Sequence, residues 1–267
     1  MADYTPDPQF NNDFAQGCLQ GGAPYCVQAC PFHLDVRALI TRIKRGSWQS
    51  AYTAYQQAVM FPRIVAALCP APCALACPLA GAEAAIRLNG LEQALVATVK
   101  ADHSPGYNVP QKSQRIAVIG GGPAGLACAV ALGLKKYRVT VYEQQAKIGG
   151  ALSQLLPEAD YLPELEHFTE KAGVDLRLCQ PIQSLDDIRA DAVYIATGAG
   201  GADFGASGGQ IPGVFTGGML QGTDPVGAIQ AGLDGAQAIE RYLKTGLMQD
   251  APATFRCLIA PPDLPER

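Results

Sequence analysis

The stretch RIAVIGGGPAGLACAVALGLKKYRVTVYE, from Arg115 to Glu143, constrains the fold more than any other part of the chain. RIAVI is a short apolar run, LACAVALGL is helix-like, and RVTVYE is β-branched and alternating, which together predict a βαβ unit opening a parallel sheet. Gly120, Gly122 and Gly125 stand between the first strand and the helix in the spacing GxGxxG, and Glu143 follows 18 residues after Gly125 at the end of the second strand. A lone GxGxxG matches many glycine-rich turns. In this context it is a dinucleotide-binding fingerprint, the alternative being a Rossmann unit that has lost its ligand. The glycines let the backbone approach a pyrophosphate, the helix N-terminus offers free N–H groups, and the carboxylate accepts from ribose hydroxyls. A carboxylate at 143 disfavours a 2′-phosphate, so the expected ligand is FAD or NAD rather than NADP.

A second signal lies upstream. Six of the nine cysteines, Cys18, Cys26, Cys30, Cys69, Cys73 and Cys77, fall in the first 77 residues, in the runs CLQGGAPYCVQACP and CPAPCALACP. These are C-x7-C-x3-C-P and C-x3-C-x3-C-P. Paired C-x2-C knuckles, usual for structural zinc, are missing. Cysteine followed by proline at Cys30, Cys69 and Cys77 points to iron-sulfur ligation, with zinc and buried structural thiols as the other readings. Cys128, Cys179, Cys257 and the scattered His33, His103 and His167 are read as packing or surface residues.

The chain has three textures. Residues 1–111 are cysteine-rich and helical in pattern, with Leu39, Ile40, Ile43 and then Ile86, Leu91, Leu95, Val99 at helical spacing. ADHSPGYNVPQKSQ reads as a linker. Residues 112–248 carry the fingerprint, further strand candidates in VDLRL and DAVYIA, and a helix from Pro225 to Leu243 capped by Asp224. Residues 249–267 form a proline-bearing tail. The fold class expected is α/β, a helical metal-binding domain followed by a Rossmann-like domain.

With 20 basic and 24 acidic side chains, a net charge of -4 gives no broad basic face for nucleic acid or anionic lipid. MADYTPDPQF has neither a basic n-region nor an apolar h-region, so a secretory signal is not expected and the chain is placed in the cytoplasm. Ile116 to Leu134 is uncharged for 19 residues, but its glycines belong to the fingerprint, so it is read as nucleotide-binding and not as a membrane span.

IGGGPAGL, YEQQAKIGGAL, IATGA and GVFTGG leading into a helix resemble, in that order, the FAD domain of two-dinucleotide-binding flavoproteins. The resemblance implies FAD held by Gly120, Gly122, Pro123, Ala124 and Gly125, by Glu143 and Gln144, by Gly149, Gly150 and Leu152, and by Gly198, Gly218 and Met219. In that family a second Rossmann domain for NADPH is inserted before the last motif. It needs on the order of 100 residues, whereas 18 separate Gly198 from Gly217. The resemblance therefore implies that this domain is absent and that a glycine-rich join replaces it. The family closes its last motif with an aspartate on the ribityl chain. Met219 stands there instead, which removes one polar anchor.

The cysteine runs, the turn at Arg45–Gly46 and the segment IRLNGLEQAL resemble the helical domain of the glutamate synthase small subunit and of the dihydropyrimidine dehydrogenase N-terminus. That resemblance implies two [4Fe-4S] clusters, one on Cys18, Cys26 and Cys77, the other on Cys30, Cys69, Cys73 and Glu92. Gly21 stands where the family has another cysteine, so the first cluster lacks a thiolate; a [3Fe-4S] centre or another ligand would fit. The resulting expectation is an electron-transfer subunit of an oxidoreductase complex, working with partner subunits. The alternatives are a compact NAD(P)H:acceptor oxidoreductase and a cluster-bearing adaptor with a decayed flavin site.

Overall fold

The computed structural model of the chain describes residues 24–77, 87–99, 109–206, 211–218 and 224–248. Cys18, Gly21, His103, Met219, Cys257 and the tail from 249 lie outside the described residues. Two compact units emerge. Of the described residues one holds 24–58, 69–77 and 87–99, and the other holds 59–68 and everything from 109 onward.

Six helices precede residue 100 among the described residues: α1 Tyr25–Ala29, α2 Val36–Lys44, α3 Trp48–Val59, α4 Pro62–Leu68, α5 Pro72–Leu75 and α6 Leu88–Thr98. Asp35 starts α2 by accepting the Ala38 N–H at 2.9 Å, and Arg42 and Lys44 sit in its last turn, where the helix dipole favours cations. Pro72 opens α5 directly after Ala71, whose left-handed φ of 53° turns the chain sharply. On α6 the spacing of four and three residues puts Leu88, Glu92 and Leu95 on one buried face.

The second unit is built on five parallel strands, β1 Arg115–Ile119, β2 Arg138–Tyr142, β3 Asp175–Arg177, β4 Ala192–Ile195 and β5 Val214–Thr216, in the order β3-β2-β1-β4-β5. The first four fall where the sequence predicts them. Register sets the two faces: Ile116, Val118, Val139, Val141 and Tyr194 share one, and Ala117, Ile119, Thr140, Tyr142, Val193 and Ile195 share the other. Helices α7 Pro123–Leu134, α8 Glu158–Ala172 and α9 Pro225–Thr245 complete the unit. Ten of the twelve α7 residues are buried, so it is a core helix rather than an amphipathic one. Asp224 caps α9 as expected, accepting from the N–H groups of Val226 and Gly227. The opposite sheet face is covered by Ile182, Leu185, Ile188 and Phe204, packed on Ala117, Ile119, Val193 and Ile195. Both faces of the parallel sheet are therefore buried, as such sheets require.

Helix α4 belongs to this second unit although its neighbours in sequence belong to the first. Its anchor is Glu164 on α8, whose two carboxylate oxygens accept the N–H groups of Arg63 and Ile64, each at 2.9 Å. Phe61 meets Phe168 edge-on at 5.6 Å beside it. Burial pushes the Glu164 carboxyl up to about 7, against the pull of the two N–H groups, Arg63 and His167. A folded-state value above the ordinary 4.5 means that stability from this group is fully present below about 4.5 and is lost as pH rises to about 7. Urea unfolding followed by circular dichroism from pH 4.5 to 7.5 should show a fall of up to about 1.4 kcal/mol per pH unit from this group. Glu164→Gln should lose that slope, and an unchanged slope in the variant would exclude Glu164 as its source.

Candidate dinucleotide site and cysteine cluster

The loop between β1 and α7 is shaped by backbone contacts that only glycine permits. Gly120, at φ 109°, donates its N–H to the Tyr142 carbonyl at 2.8 Å, and a Cβ there would strike the Ala196 carbonyl oxygen. A Cβ on Gly125 would strike the Gly120 carbonyl oxygen. Gly122 differs: its φ is -82°, and an added Cβ would meet no protein atom within 4 Å. The protein itself does not need glycine at 122, whereas a ligand lying close over the backbone would. No side chain caps α7, and Pro123 occupies its first turn, which leaves the remaining first-turn N–H groups to an external acceptor.

Glu143 is buried at the end of β2. Its Oε2 accepts the Gly121 N–H at 2.6 Å and its Oε1 accepts the Gln145 N–H at 2.8 Å. Sequence reasoning assigned this carboxylate to ribose and missed both bonds. Each oxygen keeps a further lone pair for a sugar hydroxyl, so the carboxylate can hold the loop in shape and still face a ligand. Gly149 and Gly150 take φ of 118° and 52°, and the Gly149 N–H donates to the Gly121 carbonyl at 2.8 Å. A Cβ on Gly150 would lie 3.1 Å from Gly122 Cα. This second glycine pair thus closes against the fingerprint, with Leu152 fully buried in the following 3-10 turn. Gly218 sits against Ala124 at φ 73°. Gln144 is exposed, and Gly198 follows β4 at φ 85° with nothing near its Cβ direction.

The described part of the join after β4 is folded rather than slack. Thr197 Oγ1 donates to the Ala202 carbonyl at 2.8 Å, the Gly205 N–H donates to Asp203 Oδ1 at 3.0 Å, and Phe204 packs on the sheet face with Ile119 and Ile195. Residues 207–210 lie outside the described residues.

In the helical unit, Cys26 lies on α1, Cys30 caps its end, Cys73 lies on α5, and Cys69 and Cys77 flank that helix. Cys73 is buried with Val36 and Leu88, and Cys26 packs against them. Burial first, then Glu92, Cys30 and Cys69, push the Cys73 thiol up to about 12. Burial, with Glu92 adding to it, raises Cys30. Glu92 itself is pushed up to about 7 by burial, although the Tyr55 hydroxyl pulls it down, and its buried Oε2 has no hydrogen-bond partner among the described residues.

Cys30, Cys69, Cys73 and Glu92 are thus close enough for their charges to oppose one another. Four acidic groups in a desolvated space are stable only when protonated or when a cation lies among them. That donor set fits an iron-sulfur cluster, which would supply the missing positive charge and an iron that takes the lone pair of Glu92 Oε2. Among the described residues no three such groups converge as closely as a single metal ion requires. A multi-iron cluster spreads its ligands more widely. Cys128 is fully buried in α7, and Cys179 is exposed.

Comparison with known proteins agrees with both halves. Residues 4–104 match the family described as dihydropyrimidine dehydrogenase domain II, 4Fe-4S cluster, and residues 118–158 match the NAD(P)-binding Rossmann-like domain. The first match covers the cysteine-rich part of the chain and the second the fingerprint and its flanking strands. It is similar to the glutamate synthase [NADPH] small chain of Mycobacterium tuberculosis, with 32% identity over 62% of this chain and 33% of that one. The Bacillus subtilis protein of the same name is 26% identical over 68% of this chain and 41% of its own length. The NADPH-Fe(3+) oxidoreductase subunit beta of Geobacter sulfurreducens is 29% identical over 65% of this chain and 28% of its own. The chain therefore spans well under half the length of these relatives. No helix among the described residues is long and apolar enough to cross a membrane.

The contrast between the two glycines gives a direct test of the cradle. Gly122→Ala should leave unfolding stability within about 0.5 kcal/mol of the wild type while weakening dinucleotide retention by tenfold or more on the order of a lost close contact. Gly120→Ala should fold poorly. Flavin release measured on Gly122→Ala that matched the wild type would show that no ligand passes over this backbone.

Proposed function

We propose that the chain is the electron-relay part of a multisubunit oxidoreductase, holding FAD in the Rossmann-like unit and two iron-sulfur clusters in the helical unit. The observation that carries this reading is that Cys30, Cys69 and Glu92 all act on the buried Cys73, with Glu92 Oε2 buried and without a hydrogen-bond partner among the described residues, in the same chain as an open fingerprint loop. When bound, FAD exchanges electrons singly or in pairs, and iron-sulfur clusters exchange them singly, so together they convert between the two kinds of donor.

The residues divide the work. Gly120, Gly122, Pro123, Ala124 and Gly125 present backbone to the pyrophosphate, Glu143 and Gln144 meet the adenosine ribose, and Gly149, Gly150 and Leu152 close that end. Gly198 and Gly218 border the flavin end, where Met219 offers no charge to the ribityl chain. Cys30, Cys69, Cys73 and Glu92 hold one cluster, with Glu92 supplying an oxygen. Cys18, Cys26 and Cys77 hold the other, completed by a ligand other than the thiolate that Gly21 replaces. All these thiols lie within residues 1–111 and all the flavin contacts within 112–248. A reducing, cytoplasmic setting keeps the thiols available. The relatives' names, a small chain and a subunit beta of NADPH-linked assemblies, support a partner-dependent role.

The 18-residue join leaves no room for a nicotinamide domain between β4 and β5, and on this reading electrons enter or leave through partner subunits. Under anaerobic conditions the isolated chain should be reduced by dithionite with both flavin bleaching and cluster paramagnetism, yet show negligible NADH- or NADPH-dependent dye reduction. Glu92→Ala should lower retained iron by up to about four per chain. Rapid dye reduction with NAD(P)H by the chain alone would instead make it a complete oxidoreductase.

A further inference from the structure

Arg115 and Arg138 open neighbouring strands and are register partners, so their side chains leave the sheet on the same face. Like charges placed opposite one another in a parallel pair repel. Neither guanidinium forms an ion pair among the described residues, and neither does Arg189 on the segment that crosses this face. The three arginines line one cavity of about 300 Å³ together with Thr140, Tyr142 and Asp175. Ala117, next along the face from Arg115, is too small to fill it.

The acids nearby are already engaged. Asp175 Oδ2 receives Arg177 Nε at 2.9 Å, and Asp191 Oδ2 receives the Arg115 backbone N–H at 2.6 Å. What remains is a concave site with three guanidiniums that form no ion pair, and two hydroxyls that form no hydrogen bond, among the described residues. Planar, permanently charged guanidiniums match phosphate geometry, and more than one of them calls for more than one negative charge. A volume of about 300 Å³ admits a small molecule and excludes a polymer.

We propose that this cavity is a second anion site, taking a small phosphorylated ligand whose phosphoryl group is doubly charged and sits between Arg115 and Arg138, with Arg189 closing from the crossing segment. Arg115 and Arg138 lie at the starts of β1 and β2, whereas the fingerprint loop follows the end of β1. The two sites are therefore separate, and this one stands whether or not FAD occupies the other. Thr140 and Tyr142 offer neutral hydroxyl donors, while Asp175 stays with Arg177.

The test is calorimetric titration of the 267-residue chain, saturated with FAD, with sodium pyrophosphate and with inorganic phosphate. Pyrophosphate should bind without releasing flavin. The Arg115→Gln/Arg138→Gln double variant should bind about tenfold or more weakly, whereas Lys44→Ala, which removes a surface charge elsewhere, should bind as the wild type does. If the double variant fails to fold, Arg189→Gln on the crossing segment should still weaken binding severalfold. Equal affinity in the arginine variants and Lys44→Ala, no binding of either anion, or flavin release that tracks pyrophosphate binding would each overturn the proposal.

Discussion

The nucleotide-binding unit depends on how closely α7 approaches the strands and helix around it. Gly120 lies against the Ala196 carbonyl, Gly125 against the Gly120 carbonyl, and Gly218 and Gly232 against Ala124. A Cβ at any of these points would meet another atom at a distance that side chains do not tolerate. Four separate parts of the chain, β1, β4, the segment after β5 and α9, are thereby fixed around one helix N-terminus. Since close packing transmits small displacements, the free N–H groups of α7 are held in place before any ligand arrives. Glu143 completes the arrangement by tying Gly121 to the end of β2.

The cysteine cluster rests on the opposite logic. Glycines bring neutral backbone together at little electrostatic cost, whereas Cys30, Cys69, Cys73 and Glu92 bring acidic groups into a space that penalises their charge. Packing alone would place apolar side chains there. Burial raises two thiols and a carboxyl there and leaves one carboxylate oxygen without a hydrogen-bond partner among the described residues, an arrangement that the proposed iron-sulfur cluster would relieve. The same chain therefore holds one site preorganised by sterics and another whose buried acidic groups call for a compensating charge.

Much of the fold was legible because strands and fingerprint carry their own periodicity. RIAVI, RVTVY and AVYI read as strands, and Asp224–Pro225 announces α9 directly before its first buried side chain, Val226. Three features were not legible for physical reasons. Strand β5 has three residues closed in by Gly213 and Gly217, whereas the equally short β3 is extended in pattern by Val174 and Leu178. Helix α8 carries Pro163 inside it, and its buried residues, Tyr161, Leu165 and Phe168 among them, are interleaved with acids. The placement of α4 depends on Glu164, about a hundred residues away in sequence, so no local pattern could reveal it. At the site, the glycines and cysteines were read directly, Glu92 came through the family resemblance, and the backbone bonds of Glu143 had no sequence signal beyond the acid itself.

The central claim is that one chain carries both kinds of redox centre, and cofactor stoichiometry tests it most directly. Flavin and iron measured together on anaerobically purified protein should give about one flavin and roughly seven or eight iron atoms per chain. Iron without flavin would contradict the relay and leave a cluster-bearing adaptor whose nucleotide loop holds its shape without its ligand.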